Sequence, residues 1–293
     1  MAGEQNWSCA IAEHHGAVVG VWPYQIKTTM GLRHLGTPPL TPYVGPWYVI
    51  PKSLEKRLSQ IKFVNRVFKK FLEQIPLKHT IRSFGHHRLP YWLFLHWNGF
   101  RSETRYTHEL DVSKPTDDLW NALESKQRNS IRAGKEMYEA VEGESIDQII
   151  PLVRSSFRRK SVEKLLSIAI ENKLRKLDDQ LKVRNKRRIL LAQDASGEIH
   201  GGIYLVSDHR TEYLLLSGYK ANDVGAQGAI PLLIWHSIKT TREEIYWFDF
   251  EGGNIPSIGK FFQSFGATPK PYHYLYRFDN RFMEFLFRVL NRI

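Results

Sequence analysis

Apolar residues recur at helical spacing in one long segment of the first half of the chain. Between residues 54 and 75 they stand mostly three or four positions apart, with lysines and arginines between them: Leu54, Leu58, Ile61, Val64, Phe68, Phe71, Leu72 and Ile75. This spacing predicts an amphipathic helix that packs one face on a sheet. Strand-like segments bounded by turn residues lie on both sides of it, at 8–13, 17–29, 79–84 and 104–112.

The second half has a different order of elements. Three strands joined by short polar turns are predicted at 188–193, 201–207 and 211–219. Helix, strand, helix and strand follow at 229–241, 244–250, 256–265 and 271–278. A mostly antiparallel sheet with interposed helices is an α+β arrangement of mixed α/β character. Because Ser113 to Thr116 closes the first part, we predict two domains, 1–112 and 113–293.

A proline-rich stretch separates the first strands from the long helix. Residues 36–47 contain four prolines, which remove backbone donors and restrict the residues before them. We therefore predict an ordered loop, and its aromatic residues Tyr43 and Trp47 are candidates for the lining of a site.

Composition narrows the classes of function. Of the 293 residues 42% are hydrophobic, enough for a real core, and no run approaches the roughly 18 apolar residues that a membrane span needs. The start of the chain lacks the pattern of a secretory signal, so we expect a cytoplasmic protein. A single cysteine, Cys9, excludes an intramolecular disulfide and a cysteine-rich zinc site.

The charge favours anionic partners. Forty-two lysines and arginines against 30 acidic residues give a net charge of +12. Such a field attracts polyanions, among them coenzyme A, nucleotide-sugar diphosphates, transfer RNA and anionic lipid surfaces.

Three groups of motifs point to a known family. The segment Trp120 to Lys135, and Phe248-Asp249-Phe250-Glu251-Gly252 followed by Gly259 to Ala267, resemble the second lobe of Fem-type transferases, which have the GNAT fold. The early segments Gly20 to Tyr24 and Pro39 to Pro46 resemble the first lobe of bacterial members associated with envelope polysaccharide or peptidoglycan bridges. The resemblance implies tandem GNAT-like lobes, each a mostly antiparallel mixed sheet flanked by helices.

The same resemblance implies an N-acyltransferase. The expected reaction moves an acyl group, from acetyl-CoA or another acyl-CoA, onto an amine of a cell-envelope sugar or peptide precursor, at the inner face of the membrane or in the cytoplasm. Two alternatives stay open: a peptidyltransferase that uses aminoacyl-tRNA, and a non-catalytic module that binds an anionic partner.

Two departures from the family pattern bear on these alternatives. The first strand begins within ten residues of Met1, whereas a further segment usually precedes it, so the first lobe is expected to be truncated or reduced. Residues 160–187 are too few for the long helical arm of members that use transfer RNA, which weakens the transfer RNA alternative.

Two carboxylates are the candidate catalytic groups. Acyl transfer to an amine needs a group that removes a proton from the amine. Asp249 and Glu251 flank Phe250, so on a strand they would share a face and could hold or deprotonate an amine. The alternative is structural, with Glu251 capping the turn and Asp249 paired with a basic residue.

The donor is expected between the third meander strand and the following helix. GNAT enzymes bind the pyrophosphate of coenzyme A on backbone N–H groups at this helix start. The candidate residues are Asn222, Gly225, Gln227, Gly228 and Ala229, although Gln227 falls after Gly225 and the usual basic pattern is missing. An ordinary loop and helix cap is the alternative.

Further candidates bind the substrate. The basic ones are Arg159, Lys126 and Arg128, since a guanidinium is a natural ligand of a diphosphate. The aromatic ones are Tyr43, Trp47, Tyr213 and Tyr272, with Tyr274 beside them, although packing alone can explain them.

The two pairs of adjacent histidines are candidates for metal ligands. His14-His15 and His86-His87 are adjacent in sequence, so their side chains diverge on a strand, and we predict no metal site.

Residues 280–293 place apolar side chains on one side of a helix, which either packs on its domain or lies on a membrane surface.

Overall fold

The structure is a computed structural model that describes residues 6–29, 32–41, 43–76, 80–86, 89, 91–159, 166–220, 228–278 and 284–285. The chain forms two compact units. The first combines Met1–Arg105 with Pro271–Ile293, and the second is Tyr106–Lys270.

Both units contain strands and helices. The strands are β1 (Trp7–His14), β2 (Ala17–Thr29), β3 (Leu32–Gly36), β4 (Trp47–Tyr48), β5 (Thr80–Gly85), β6 (Arg101–Asp111), β7 (Glu139–Glu142), β8 (Arg187–Gln193), β9 (Ile199–Ser207), β10 (Thr211–Tyr219), β11 (Trp247–Asp249) and β12 (Thr268–Arg277). The helices are α1 (Arg57–Gln74), α2 (Leu93–Trp97), α3 (Thr116–Ala122), α4 (Ser125–Met137), α5 (Ile150–Arg159), α6 (Ile168–Val183), α7 (Ala229–Lys239) and α8 (Pro256–Gln263).

In the first unit the sheet order is β1-β2-β3-β5-β12, with β4 beside β2. The pairs are antiparallel except β3 with β5. Helix α1 confirms the predicted amphipathic helix, and its buried face packs around the fully buried Trp22. Strand β1 lies at the edge of the sheet. There the Gln74 side chain accepts from the N–H of Ile11 and donates to its carbonyl, at 2.9 and 2.7 Å, so both backbone groups of Ile11 have a hydrogen-bond partner.

In the second unit the order is β6-β11-β10-β9-β8-β7. Strands β8, β9 and β10 form the predicted antiparallel meander. Helix α7 then carries the chain from β10 to β11, and this crossover makes β10 and β11 parallel. The parallel pairing extends only from Thr211 opposite Trp247 to Tyr213 opposite Asp249. The predicted mixed sheet flanked by helices is confirmed.

The core of the second unit lies around α7. This helix is buried along most of its length, since its apolar residues face the sheet and α4. Close backbone approaches fix the packing: a Cβ on Gly134 of α4 would lie 2.5 Å from the Gly228 carbonyl oxygen, and a Cβ on Gly218 of β10 would lie 2.4 Å from the backbone of Leu152 in α5. Only glycine allows these contacts.

Some elements differ from the sequence predictions. The segment from Leu89 to Trp97, which is rich in proline and tryptophan, contains the short helix α2. Strand β11 ends at Asp249, one residue earlier than predicted. The structure also contains a 3₁₀ turn, Ile146–Gln148, which Ser145 caps and which precedes α5. The predicted closing helix lies outside the described residues except for 284–285, which are helical.

The predicted division into 1–112 and 113–293 stays a prediction. In the structure Pro271–Ile293 belongs to the first unit, because β12 pairs with β5. Within the described ranges, we find no helix with the length and hydropathy of a membrane span.

The contact at Gly218 gives a test of the packing. We expect Gly218→Ala to lower the free energy of unfolding by roughly 1–3 kcal/mol, because the added methyl group overlaps the α5 backbone. Gly36→Ala is the control, since its methyl group would make only ordinary contacts with the side chains of Lys27, at 3.7 Å, and His34, at 3.9 Å. Urea denaturation of both variants measures the difference, and equal stabilities would contradict this packing.

Candidate active site at the end of strand β11

The chain makes an unusual turn directly after β11. Glu251, Gly252 and Gly253 have φ angles of 54°, 100° and 109°, so three successive residues lie in the left-handed region. The glycines adopt it without steric cost, but for Glu251 it costs about 1–3 kcal/mol. Because the strand ends at Asp249, the alternation that would place Asp249 and Glu251 on one face of a strand does not extend to Glu251.

Strand β6 holds this turn in place. The Phe250 N–H donates to the His108 carbonyl at 2.9 Å, and the Gly252 N–H donates to Thr107 Oγ1 at 3.2 Å. The Asn254 side chain accepts from the N–H of Tyr106 and donates to its carbonyl, at 2.9 and 3.0 Å. The turn is therefore fixed by hydrogen bonds to three consecutive residues of one strand.

Asp249 is fully buried beneath the turn. One of its carboxylate oxygens, Oδ1, accepts from the Thr107 hydroxyl and, at 2.8 Å, from the Glu251 N–H. Donors of this kind favour a charged carboxylate. Thr107 Oγ1 thus links Asp249 to the Gly252 peptide, because it donates to the first and accepts from the second.

A second buried carboxylic residue lies opposite Asp249. Glu109 of β6 is its antiparallel partner, and Tyr213 of β10 is its parallel partner. The hydrogen bond between Phe250 and His108 makes Asp249 and Glu109 a non-hydrogen-bonded pair, in which the Cα atoms lie only about 4.5 Å apart. Three ionisable residues therefore form a row across three strands.

Glu251 differs from Asp249 in its exposure. The residue as a whole is partly exposed, and burial of its carboxyl, followed by the charge of Asp249, raises the pKa of that carboxyl well above the usual value. Burial also raises the pKa of Tyr213, with smaller contributions from Asp208 and Asp249, and the Tyr213 hydroxyl donates to Asp208 Oδ2 at 3.0 Å. Of these groups, Glu251 is the one suited to exchange a proton with a substrate.

Sequence reasoning missed Thr107, His108 and Glu109. Their signal is a run of polar residues, Tyr106 to Glu109, inside a predicted strand, of which three are almost fully buried: Thr107, His108 and Glu109. Polar side chains are rarely buried without a specific partner.

The predicted donor segment is described only at its end. Asn222, Gly225 and Gln227 lie outside the described residues. Gly228 caps α7 and Ala229 begins it, so both lie at a helix N-terminus, where an anion is favoured. A Cβ on Gly228 would lie 3.0 Å from the Gly134 backbone, so contact with α4 accounts for this glycine without a ligand.

The predicted basic residues are in different situations. Lys126 is exposed on α4. The Arg128 guanidinium donates to the carbonyls of Asn121 and Leu123 and to Ser125 Oγ, so it joins the end of α3 to the start of α4. Arg159 is the last residue of α5, and its side chain lies outside the described part of the structure.

The predicted aromatic residues form separate groups. Tyr213 lies beside Asp249 in the second unit. In the first unit Tyr43 contacts Tyr272 and His86, with ring centroids 5.4 and 4.6 Å apart, and Trp47 lies 5.0 Å from His86. Tyr274 is buried in that unit under the Arg105 guanidinium.

The structure also groups possible metal ligands that the sequence did not suggest. Asp194, Glu198 and His200 place ligand atoms within 4.8 Å of one another at the turn between β8 and β9. Asp194 already accepts from Ser196, from the Glu198 N–H and from His200, and Glu198 pairs with Lys220. These contacts explain the cluster as a turn, and the expected absence of a metal site stays a prediction.

The sequence from the end of α3 to the start of α8 is similar to a known family. Residues 123–256 match the family model of the acetyltransferase (GNAT) domain. The chain has the GNAT-domain acyltransferase fold. The match includes β10, α7, β11 and the turn with Glu251, and the predicted enzyme class, an acyltransferase, is confirmed.

Solved structures share the fold at low sequence identity. FemX is 12% identical, with a TM-score of 0.67 over 98% of this chain and 91% of its own. A conserved protein of unknown function from Bacteroides thetaiotaomicron VPI-5482 is 13% identical, with a TM-score of 0.54 over 88% and 82%. L-PGS from Bacillus licheniformis is 15% identical, with a TM-score of 0.51 over 94% and 87%. No curated protein sequence matches the chain.

The raised pKa of Glu251 predicts a pH dependence of stability. A carboxyl whose pKa is higher in the folded state stabilises the fold fully below the unfolded value of about 4.3, and this stabilisation is lost as the pH rises through the folded value. We therefore expect the stability of the wild type to fall with rising pH relative to Glu251→Gln.

Denaturation of both proteins across the pH range measures this difference. Replacement of the exposed Glu244 by glutamine is the control for the removal of one acidic side chain. If the difference in stability between the wild type and Glu251→Gln stays constant with pH, the pKa of Glu251 is not raised.

Proposed function

We propose that this acyltransferase moves an acyl group from an acyl-coenzyme A onto an amine of a cell-envelope sugar or peptide precursor. The observation that carries the proposal is Glu251, a partly exposed residue whose carboxyl has a raised pKa, next to the buried Asp249. Both residues lie within the part of the chain that matches the GNAT model.

Glu251 takes the role of general base. A primary amine is protonated in neutral water and must lose a proton before its lone pair can attack a carbonyl carbon. A base works best when its pKa is close to the working pH, and a carboxyl with an ordinary pKa is too weak. Burial and the charge of Asp249 shift Glu251 in the required direction.

Asp249 acts differently from Glu251. It has no exposed surface, and its Oδ1 is occupied by Thr107 and the Glu251 N–H, so it does not contact a substrate. Its fixed negative charge raises the affinity of Glu251 for a proton. Glu251 is therefore the base, and Asp249 is the group that raises the pKa of this base.

The transfer then needs a group that stabilises the oxyanion. Glu251 removes one proton from the ammonium group, and the nitrogen then forms a bond to the thioester carbon. As the C–S bond breaks, a second proton leaves the nitrogen for the departing thiolate, which gives the amide and the thiol, and Glu251 passes its own proton to water. Backbone N–H groups stabilise negative charge on the carbonyl oxygen. Strand β10 carries a bulge between Leu214 and Leu216 next to the parallel pair, and bulges free backbone groups of the ladder.

The donor and the acceptor class have separate support. Acyl-coenzyme A is the typical donor of GNAT domains, and the N-terminus of α7 favours a phosphate. The net charge of +12 suits a donor or acceptor with phosphate groups. The envelope acceptor rests on the resemblance of the sequence to Fem-type transferases.

Thiol release from acetyl-coenzyme A, with a panel of amino sugars and peptide amines, tests the proposal. We expect Glu251→Gln to lower kcat by about 10²–10⁴-fold, since the amide cannot accept the proton. The exposed Glu244→Gln is the matched control and keeps wild-type activity.

Three outcomes count against parts of the proposal. If Glu251→Gln turns over at the wild-type rate, Glu251 is not the general base. If acetyl-coenzyme A at high concentration does not raise the melting temperature, acetyl-coenzyme A is not the donor. Incorporation of a labelled amino acid that is lost after RNase treatment favours aminoacyl-tRNA as the donor instead.

A further inference from the structure

His108 of β6 is enclosed between the turn and α8. It is 2% exposed. Its Nδ1 lies 2.8 Å from the Gly252 carbonyl oxygen, and because a carbonyl only accepts, Nδ1 carries the proton and donates. On the other side of the ring, Nε2 lies 3.2 Å from the Gln263 amide nitrogen, and the ring packs against Phe262.

The turn approaches His108 more closely than any side chain would permit. A Cβ on Gly253 would lie 2.3 Å from His108 Nδ1, and its φ of 109° also favours glycine. A Cβ on Gly259 of α8 would lie 2.6 Å from the Gly253 carbonyl oxygen. Two glycines therefore make room for one imidazole against the backbone of the turn.

His108 and Thr107 together hold the residue that follows Glu251. Thr107 Oγ1 accepts from the N–H of Gly252, and His108 Nδ1 donates to its carbonyl. Both peptide groups of Gly252 are thus fixed from β6. Glu251, whose left-handed backbone is unfavourable for a non-glycine residue, is held from its C-terminal side by these two contacts.

We propose that His108 is a positioning residue, which fixes the Gly252 carbonyl and thereby keeps the Glu251 carboxyl beside Asp249. That this carboxyl serves as the base rests on the proposed function. His108 does not contact the substrate in this proposal.

The proposal predicts a change in the pH profile. Glu251 faces Asp249 on its own segment, and Asp249 is flanked by Thr107 and Glu109 of β6 and by Tyr213 of β10. Without the bond from His108, the turn can relax and Glu251 becomes hydrated and more distant from Asp249. Burial and the Asp249 charge are the two causes of the raised pKa of Glu251. Because both weaken when the turn relaxes, the pKa of Glu251 should fall.

Two substitutions separate positioning from packing. In His108→Asn the amide nitrogen stands as many bonds from Cβ as Nδ1 and can donate to Gly252. In His108→Leu the volume is largely kept and the donor is lost. His209, whose side chain is 84% exposed, provides the control His209→Asn.

We expect His108→Leu to lower kcat by about 10²-fold, the scale of a misplaced catalytic group. The acid limb of its kcat/KM profile should move to lower pH. His108→Asn should keep the wild-type acid limb and recover most of kcat, and His209→Asn should match the wild type. An unchanged acid limb in His108→Leu, or equal defects in the leucine and asparagine variants, would overturn the proposal.

A measurement without substrate separates this proposal from the proposed function. The pH-dependent stability difference that Glu251→Gln produces in the wild type should be smaller when His108 is leucine. If that difference is unchanged, positioning by His108 is wrong even if acyl transfer is real. If it shrinks while no acyl transfer occurs, the positioning holds and the proposed function fails. Should His108→Leu not fold, His108→Gln, whose amide stands one carbon farther out, is compared with His108→Asn in the same way.

Discussion

The site depends on the attachment of the turn after β11 to strand β6. The Thr107 hydroxyl donates to Asp249 and accepts from the Gly252 N–H, so one atom joins the buried carboxylate to the turn. Glu251 has a left-handed backbone that would be unfavourable in a free chain, and the hydrogen bonds to β6 offset this cost. If the attachment were lost, neither the conformation of Glu251 nor its distance from Asp249 would be fixed.

The core beneath the turn makes this attachment rigid. Phe248 and Phe250 point into the core of the second unit, and Phe250 contacts Phe262 of α8 with ring centroids 4.8 Å apart. The alternating direction of side chains along β11 then turns Asp249 to the other face of the sheet, toward Glu109 and Tyr213. The burial of the phenylalanines thus determines where the carboxylates lie.

Much of the scaffold was predictable because its signals are local. The spacing of apolar residues identified α1, and short polar turns identified the meander of β8 to β10. The residue types of the segment from Phe248 to Gly253 also predict a site for chemistry, since an acidic pair precedes two glycines.

The partners of that segment could not be predicted from the sequence. Thr107 and His108 lie 142 to 145 residues from the groups that they bind, and nothing local encodes the register of β6 against β11. The alternation of a strand also suggested equivalent roles for Asp249 and Glu251. The structure separates them, because β11 ends at Asp249 and the positive φ of Glu251 leads its side chain out of the strand pattern.

The pKa of Glu251 is the most direct measure of this account, and NMR titration of its labelled side-chain carboxyl determines it in the wild type and in Asp249→Asn. We expect a wild-type pKa well above the ordinary glutamate value of about 4.3, and a lower but still raised pKa in Asp249→Asn, because burial is the larger cause. A wild-type pKa at the ordinary value, or one that Asp249→Asn leaves unchanged, would contradict the account.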